Sequence, residues 1–219
     1  MRIGIIGAGL IGRAVARLAV AQGHEVMVSN SRGPETLASL ASGLGCKAGT
    51  VEQAEAFGDL VVVAIPLKHC LSIPVAPLIG KVVLDANNYY PDRDGRIAEL
   101  DARMTTTSEL LARHLPQSRI VKAFNAILAT DLEKDGRPAG SPGRRALPIA
   151  GDDAKAKAVA AHFVDQLGFD PLDAGALAES WRFERAKPAY CIPLDLKGLR
   201  NALDAAERNV ELPDGSWRQ

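Results

Sequence analysis

Gly7-Ala8-Gly9-Leu10-Ile11-Gly12 is the stretch whose reading decides the fold. The apolar run Arg2-Ile3-Gly4-Ile5-Ile6 precedes it, and Leu10, Ala14, Val15, Leu18 and Ala19 follow at helical spacing. The glycines therefore lie between a strand and a helix, which is the context a dinucleotide fingerprint requires. Gly7 permits a tight turn, Gly9 lets backbone approach a pyrophosphate, and Gly12 lets the helix pack closely on the strand. Ala8, Leu10 and Ile11 complete the loop, whose helix N-terminus offers unpaired N–H groups and a positive dipole end to phosphates.

The second strand reads Glu25-Val26-Met27-Val28, after a Gly23-His24 break. An NAD-specific chain usually ends this strand with Asp or Glu, which bonds the ribose hydroxyls. Here Ser29-Asn30-Ser31-Arg32-Gly33-Pro34 stands instead. A carboxylate would repel a 2′-phosphate, whereas the Arg32 guanidinium pairs with one in a bidentate, charge-assisted way. Ser31 adds a hydroxyl donor, and Pro34 suits the first turn of the next helix. The pattern points to NADP(H).

Size and charge narrow the class. The chain has 219 residues, 47% of them hydrophobic and 5% aromatic, enough for one medium domain or one domain with a small appendage. Its 26 basic and 26 acidic residues cancel, so nothing argues for a nucleic-acid surface. Cys46, Cys70 and Cys191 are odd in number, far apart and without metal-ligand or CxxC spacing. They read as free thiols of a reducing cytosol. The first apolar run is too short for a membrane span or signal peptide, so the expectation is a soluble cytoplasmic protein with no membrane partner.

Further along, a helix is expected from Pro34 to about Ser42, and Thr50-Val51-Glu52-Gln53 has capping-box spacing. Asp59 to Ile65 and Lys81 to Asp85 read as strands buried on both faces, and Arg119 to Phe124 as another. Thr107-Ser108-Glu109 is expected to cap a helix carrying Leu110, Leu111 and Leu115. Residues 135–145 are rich in Gly and Pro and form the one clear loop. Ala146 to Ala150 and Phe169 to Asp173 read as strands around a helix capped by Asp152 or Asp153. The rest is expected to be mostly helical to about Asn209, with a tail that Trp217 docks. These signals give an α/β fold, a Rossmann-type, doubly wound, mostly parallel sheet with a small helical C-terminal part. The expected division is a NADP-binding domain over residues 1–173 and a helical region over 174–219.

Ligands in such a sheet lie beyond the carboxyl ends of the strands. The nicotinamide is therefore expected near Pro66, Asn87 and Phe124. Pro66, beside Ile65 and Leu67, either presents apolar surface to the ring or simply ends the strand. Asn87 either bonds a carboxamide or ribose or serves its own tight loop. Lys122, Asn125, Tyr89 and His69 are the proton donors that can be placed nearby, but no spacing groups them. No Tyr-x-x-x-Lys pair, His-Asp relay or metal-ligand cluster emerges, so no catalytic or metal residue is assigned. Carbonyl reduction needs an acid for the developing alkoxide, whereas hydride exchange between two organic cofactors needs mainly face-to-face placement. The second case fits better.

The opening fingerprint, Ser31-Arg32, Ile65-Pro66-Leu67-Lys68-His69, Gly151-Asp152-Asp153 and Leu172-Asp173-Ala174-Gly175-Ala176-Leu177 together resemble the NADPH-dependent F420 oxidoreductase family. Val121-Lys122-Ala123-Phe124-Asn125 is similar to the cytosolic NADPH domain of STEAP-type metalloreductases. The resemblance extends to about Tyr190. It implies a usually dimeric Rossmann protein moving hydride between NADP(H) and a deazaflavin. It also implies cofactor contacts at Ala8 to Ile11, at Ser31 and Arg32, and from Pro66 to His69, which makes His69 a cofactor neighbour. One departure is Glu35-Thr36, where family members often carry a basic residue; Thr36 could bond the phosphate instead. The leading expectation is hydride transfer between NADP(H) and F420 or a flavin such as FMN or FAD, in a homodimer. A reductase of a small imine or carbonyl, with Tyr89, Lys122 or His69 as acid, is the alternative. A non-catalytic NADPH sensor working through the 135–145 loop is the third. In that loop Arg137, Arg144 and Arg145 either clamp an acidic substrate as a lid or are merely solvated.

Overall fold

In the computed structural model, which describes residues 1–213 and 215–216, strands and helices alternate from the start. β1 (Arg2–Ile6) leads through α1 (Leu10–Ala21) to β2 (Glu25–Ser29). Next come α2 (Ala38–Leu44), β3 (Lys47–Gly49), α3 (Val51–Phe57) and β4 (Leu60–Val63). β5 (Val82–Asp85) is followed by the short α4 (Pro91–Asp94) and α5 (Ala98–Asp101), then α6 (Thr107–His114) and β6 (Arg119–Lys122). The remainder is α7 (Ala129–Lys134), β7 (Ala146–Gly151), α8 (Ala154–Gln166), β8 (Asp170–Asp173) and α9 (Leu196–Asp204).

The strands form one sheet in the order β3-β2-β1-β4-β5-β6-β7-β8. The first six are parallel, with Ile3 opposite both Val26 and Leu60. This is the doubly wound Rossmann order, and it reverses between β1 and β4, where a crevice must open. β7 runs antiparallel to β6 through only two pairs, and β8 lies parallel to β7. Alternate residues of β4 serve opposite faces. Leu60 and Val62 pack with α1 and α8, whereas Val61 and Val63 pack with Leu111 of α6. A third apolar cluster joins Ala146 and Leu172 of β7 and β8 to Phe183, Tyr190, Leu199 and Leu203 from the C-terminal stretch. Among the described residues, no helix is long and apolar enough to cross a membrane.

Several local expectations are corrected. Residues 34–44 are a 3-10 turn, Pro34–Leu37, followed by α2, which runs on to Leu44 and ends at Gly45 with a positive φ of 69°. Helix α6 is capped by Thr106, not Thr107: the Thr106 side chain accepts from the Glu109 N–H while the Glu109 carboxylate accepts from the Thr106 N–H. Beyond β8 the chain is mostly irregular, a 3-10 stretch Leu177–Phe183 and α9 excepted, because Pro188 and Pro193 interrupt any longer helix. Trp217 lies outside the described residues. The 135–145 loop is irregular as expected, but its last two arginines are neither a lid nor solvated. Buried Arg144 pairs with Asp165 and Asp170, and buried Arg145 with Asp131 and Asp135. Only Arg137 stays exposed.

Thr50 forms the expected capping box with Gln53 at the start of α3. The same helix buries Glu55 completely, with no hydrogen-bond partner for either carboxylate oxygen among the described residues. Burial, then the neighbouring Glu52 charge, push its carboxyl up to about 8 from an ordinary 4.5. The folded chain thus keeps a proton that the unfolded chain loses at lower pH, so stability falls as pH rises from about 4.5 through 8. Glu55→Gln removes this penalty. Thermal melts should show Tm raised by about 2–10 °C at pH 8, as ~1–3 kcal/mol gives in a chain of this size, and no gain at pH 4. Parallel Tm–pH curves for the two proteins would contradict the assignment.

Candidate active site

The glycine turn opens the crevice. Gly7 adopts φ +106°, and a side chain there would collide with the Ala64 carbonyl at the end of β4. A Cβ on Gly12 would strike the Gly7 carbonyl, so Gly12 sets helix–strand distance and, being buried, does not face the groove. Gly9 is different: nothing lies within 4 Å of where its Cβ would stand. It is the N-cap of α1 and no side chain caps that end. An open backbone surface and unsatisfied N–H groups meet there, which suits an anionic pyrophosphate.

Two cavities meet at this point. One, of about 620 Å³, runs from the turn past Asn30, Ser31 and Arg32 to His69. The other, of about 690 Å³, runs past Asn88, Tyr90, Phe124 and Tyr190. Gly9, Ala64, Ile65 and Pro66 line both, so the two form one groove across the carboxyl ends of β1 and β4. Ala8 faces the first cavity, whereas Leu10 and Ile11 face the second. Leu10 is 78% exposed, an apolar side chain left bare at the groove.

At the first end, the Arg32 backbone N–H donates to Asn30 Oδ1 at 2.9 Å, which fixes the loop and leaves the guanidinium at the cavity wall. A second guanidinium, from Arg13 on α1, lines the same cavity, its Nε donating to the Ala8 carbonyl at 2.8 Å. Sequence reading missed Arg13, although its place one helical turn after Gly9 was a usable signal. Thr36 does not reach the cavity lining. Its hydroxyl donates to the Gly33 carbonyl and accepts from Asn30 Nδ2, holding the turn.

At the second end, Asn87 lines the wall, but its side chain mainly serves the scaffold. Its Oδ1 accepts from the Ile65 N–H at 2.9 Å, and its Nδ2 donates to Cys70 Sγ. Burial raises the Cys70 thiol pKa well above its ordinary range. Leu67 points into the core below α6 and is absent from the groove wall. Phe124 and Cys191 line the cavity with positive φ values of 61° and 58°. Left-handed backbone at non-glycine residues is costly and tends to persist where a site requires it. It directs Asn125 toward Asn88: Asn125 Nδ2 donates to Asn88 Oδ1 and to the Phe183 carbonyl. Asn125 Oδ1 remains buried without a partner among the described residues.

The expected proton donors are dispersed. Lys122 is completely buried, paired with Asp85 at 3.2 Å and donating to the Asn87 carbonyl and Thr107 Oγ1. Tyr89 faces a separate cavity near Asp101 and donates to its carboxylate. His69 sits at the Arg32 end. What sequence reading missed is a phenol pair: Tyr90 and Tyr190 share a 2.7 Å hydrogen bond in the wall of the second cavity.

Residues 2–89 match the family of coenzyme F420-dependent NADP oxidoreductases. The hypothetical protein SMa0349 from Sinorhizobium meliloti is 33% identical, with a TM-score of 0.69 over 82% of this chain and 87% of that one. The chain belongs to the F420-dependent NADP oxidoreductase family. A candidate F420-dependent NADP reductase from Arthrobacter sp. FB24 shares the same coverage and TM-score at 26% identity. YjhV of Escherichia coli (strain K12) is 38% identical over 71 residues, which is 32% of this chain and 52% of YjhV. The chain thus spans about half the length of that curated relative.

The two glycines separate binding from folding. Gly9→Ala should keep the wild-type Tm, because its methyl meets only open space. NADPH affinity, read by fluorescence, should drop at least ~10-fold as the methyl intrudes on the groove. Gly12→Ala should lower Tm sharply through the Gly7 clash. Equal behaviour of the two variants would refute this division of labour.

Proposed function

We propose that this protein is an NADPH-dependent oxidoreductase that passes hydride between NADP(H) and a deazaflavin or flavin-like acceptor. The observation that carries the proposal is the single groove joining Arg32 to the Phe124–Tyr190 wall through Gly9, Ala64, Ile65 and Pro66. Arg32, Arg13 and Ser31 form the end suited to a 2′-phosphate, and no carboxylate closes β2 there. Gly7, Ala8 and Gly9 would hold the pyrophosphate against the N-terminus of α1. Pro66 and Ile65, which line both cavities, would hold the nicotinamide. NADPH supplies the hydride when bound. The chain positions the acceptor on Leu10, Ile11, Phe124 and Ile127, an apolar wall fit for a flat ring, and keeps water from the transfer.

A small imine or carbonyl reductase, the alternative, would not draw its acid from Lys122, sealed in the core, or from Tyr89, which faces a separate cavity. The sensor reading loses support, because ion pairs to α7, α8 and β8 staple down the 135–145 loop.

NADPH oxidation by purified protein, with F420, FMN and FAD offered in parallel and NADH as control donor, tests the proposal. Turnover with F420 and preference for NADPH is expected. Arg32→Ala should weaken NADPH binding about 10–100-fold, the worth of a charge-assisted phosphate contact, and leave NADH binding unchanged. Tight NADPH binding without oxidation by any of the three would contradict the proposed reaction.

A further inference from the structure

Hydride transfer to a conjugated acceptor leaves half the chemistry undone. NADPH gives up two electrons and one hydrogen nucleus, and the neutral reduced acceptor also gains a proton at nitrogen or oxygen. A group at the acceptor end of the groove can supply it faster than bulk water. Lys122 is closed off by Asp85, Asn87 and Thr107, and His69 stands at the opposite end.

We propose that Tyr90 is the proton donor to the acceptor and that Tyr190 positions and recharges it. This deepens the hydride-transfer reading and rests on it. Three observations carry the assignment. First, the two phenols come from distant parts of the chain, one after β5 and one from the C-terminal stretch, yet meet at 2.7 Å in the wall of the same cavity as Phe124. Second, the pair is anchored from behind. Asn88 Nδ2 donates to the Asn125 carbonyl at 2.9 Å and reaches the Tyr190 oxygen at 3.5 Å, so the pair is tied to the loop after β6. Third, two guanidinium groups cover the Tyr90 ring: Arg93 at 4.7 Å and Arg185 at 5.6 Å from its centroid. Arg93 is itself paired with Asp94 at 2.8 Å, so it is as one half of an ion pair, with Arg185 beside it, that it faces the ring whose proton leaves.

The step balances. As hydride adds to the acceptor's electrophilic atom, the acceptor's π electron pair moves onto its heteroatom and takes the Tyr90 proton. The Tyr90 O–H bond breaks, and its oxygen regains a proton from Tyr190, which is replenished from water. The net change is NADPH, acceptor and one proton giving NADP⁺ and reduced acceptor. The other charged or titratable groups about the pair are Asp92 in the cavity wall, Asp94, whose carboxylate accepts from the Tyr90 N–H, and Cys191 next to Tyr190. Burial raises the Tyr190 phenol above its ordinary value and the Cys191 thiol to about 12, so both stay protonated between turnovers.

Tyr90→Phe and Tyr190→Phe test the assignment. With whichever of F420, FMN or FAD the wild type reduces, Tyr90→Phe should keep NADPH affinity within about twofold. Its kcat should fall on the order of 100-fold, the usual worth of a positioned general acid, and the solvent deuterium isotope effect on kcat should change. Tyr190→Phe should lose about 10-fold in kcat; if it does not fold, Tyr90→Phe alone decides. A Tyr90→Phe kcat within twofold of wild type, with an unchanged solvent isotope effect, overturns the proposal. A wild type that reduces none of the three defeats the hydride-transfer reading, and equilibrium binding then decides the phenol's role. FMN affinity, read by flavin fluorescence, should fall severalfold in Tyr90→Phe, which loses the phenol's hydrogen bond to the acceptor. Equal affinity in both would overturn it.

Discussion

The ion pair between Lys122 and Asp85 is the constraint on which the groove depends. Both side chains are wholly removed from water, at the carboxyl ends of β6 and β5. Burying two charges costs several kcal/mol per ion unless every remaining lone pair and proton is used. Here they are used. The ammonium reaches Asp85, the Asn87 carbonyl and Thr107, while the carboxylate also accepts from Ser108 Oγ and the Asn87 N–H. Thr107 extends the network to Glu184 through its N–H and its hydroxyl. Removing either charge would strand the other at a cost of about 3–5 kcal/mol.

The consequences reach the groove through backbone. With Asn87 pinned on both sides, its side chain is directed to Ile65 and Cys70, which sets the loop after β4. Asn88 is directed toward Asn125, and Tyr90 toward Tyr190. Two residues beyond Lys122, Phe124 adopts a positive φ of 61°. Because Glu184 belongs to the C-terminal stretch, this network also ties that stretch to the sheet near the wall that Tyr190 and Cys191 complete. The polar core thus serves geometry, and the chemistry is left to groups it positions.

The sheet was legible because buried parallel strands are continuous apolar runs and their glycine turns are fixed by backbone sterics. Gly7 and Gly12 announce close contacts that only glycine permits, and Ser31-Arg32 announces a missing carboxylate. The C-terminal stretch was less legible, because Pro188 and Pro193 break a pattern whose individual segments look helical. Lys122 stayed open between a structural and a proton-donating role for a physical reason: a lysine at a strand's carboxyl end looks like site chemistry until its buried partner is seen. Arg144 and Arg145 misled in the same way, since loop composition conceals that Asp131, Asp135, Asp165 and Asp170 converge on them. Tyr90 and Tyr190 are 100 residues apart, and only the fold brings them together.

A crystal structure with NADP⁺ bound tests the central claim most directly. The account predicts the 2′-phosphate within hydrogen-bond distance of Arg32 and the pyrophosphate over Gly9. It also predicts the nicotinamide at Ile65 and Pro66 with its reactive face toward Tyr90. A dinucleotide bound in the reverse sense, or a nicotinamide lying outside the Phe124–Tyr190 wall, would contradict it.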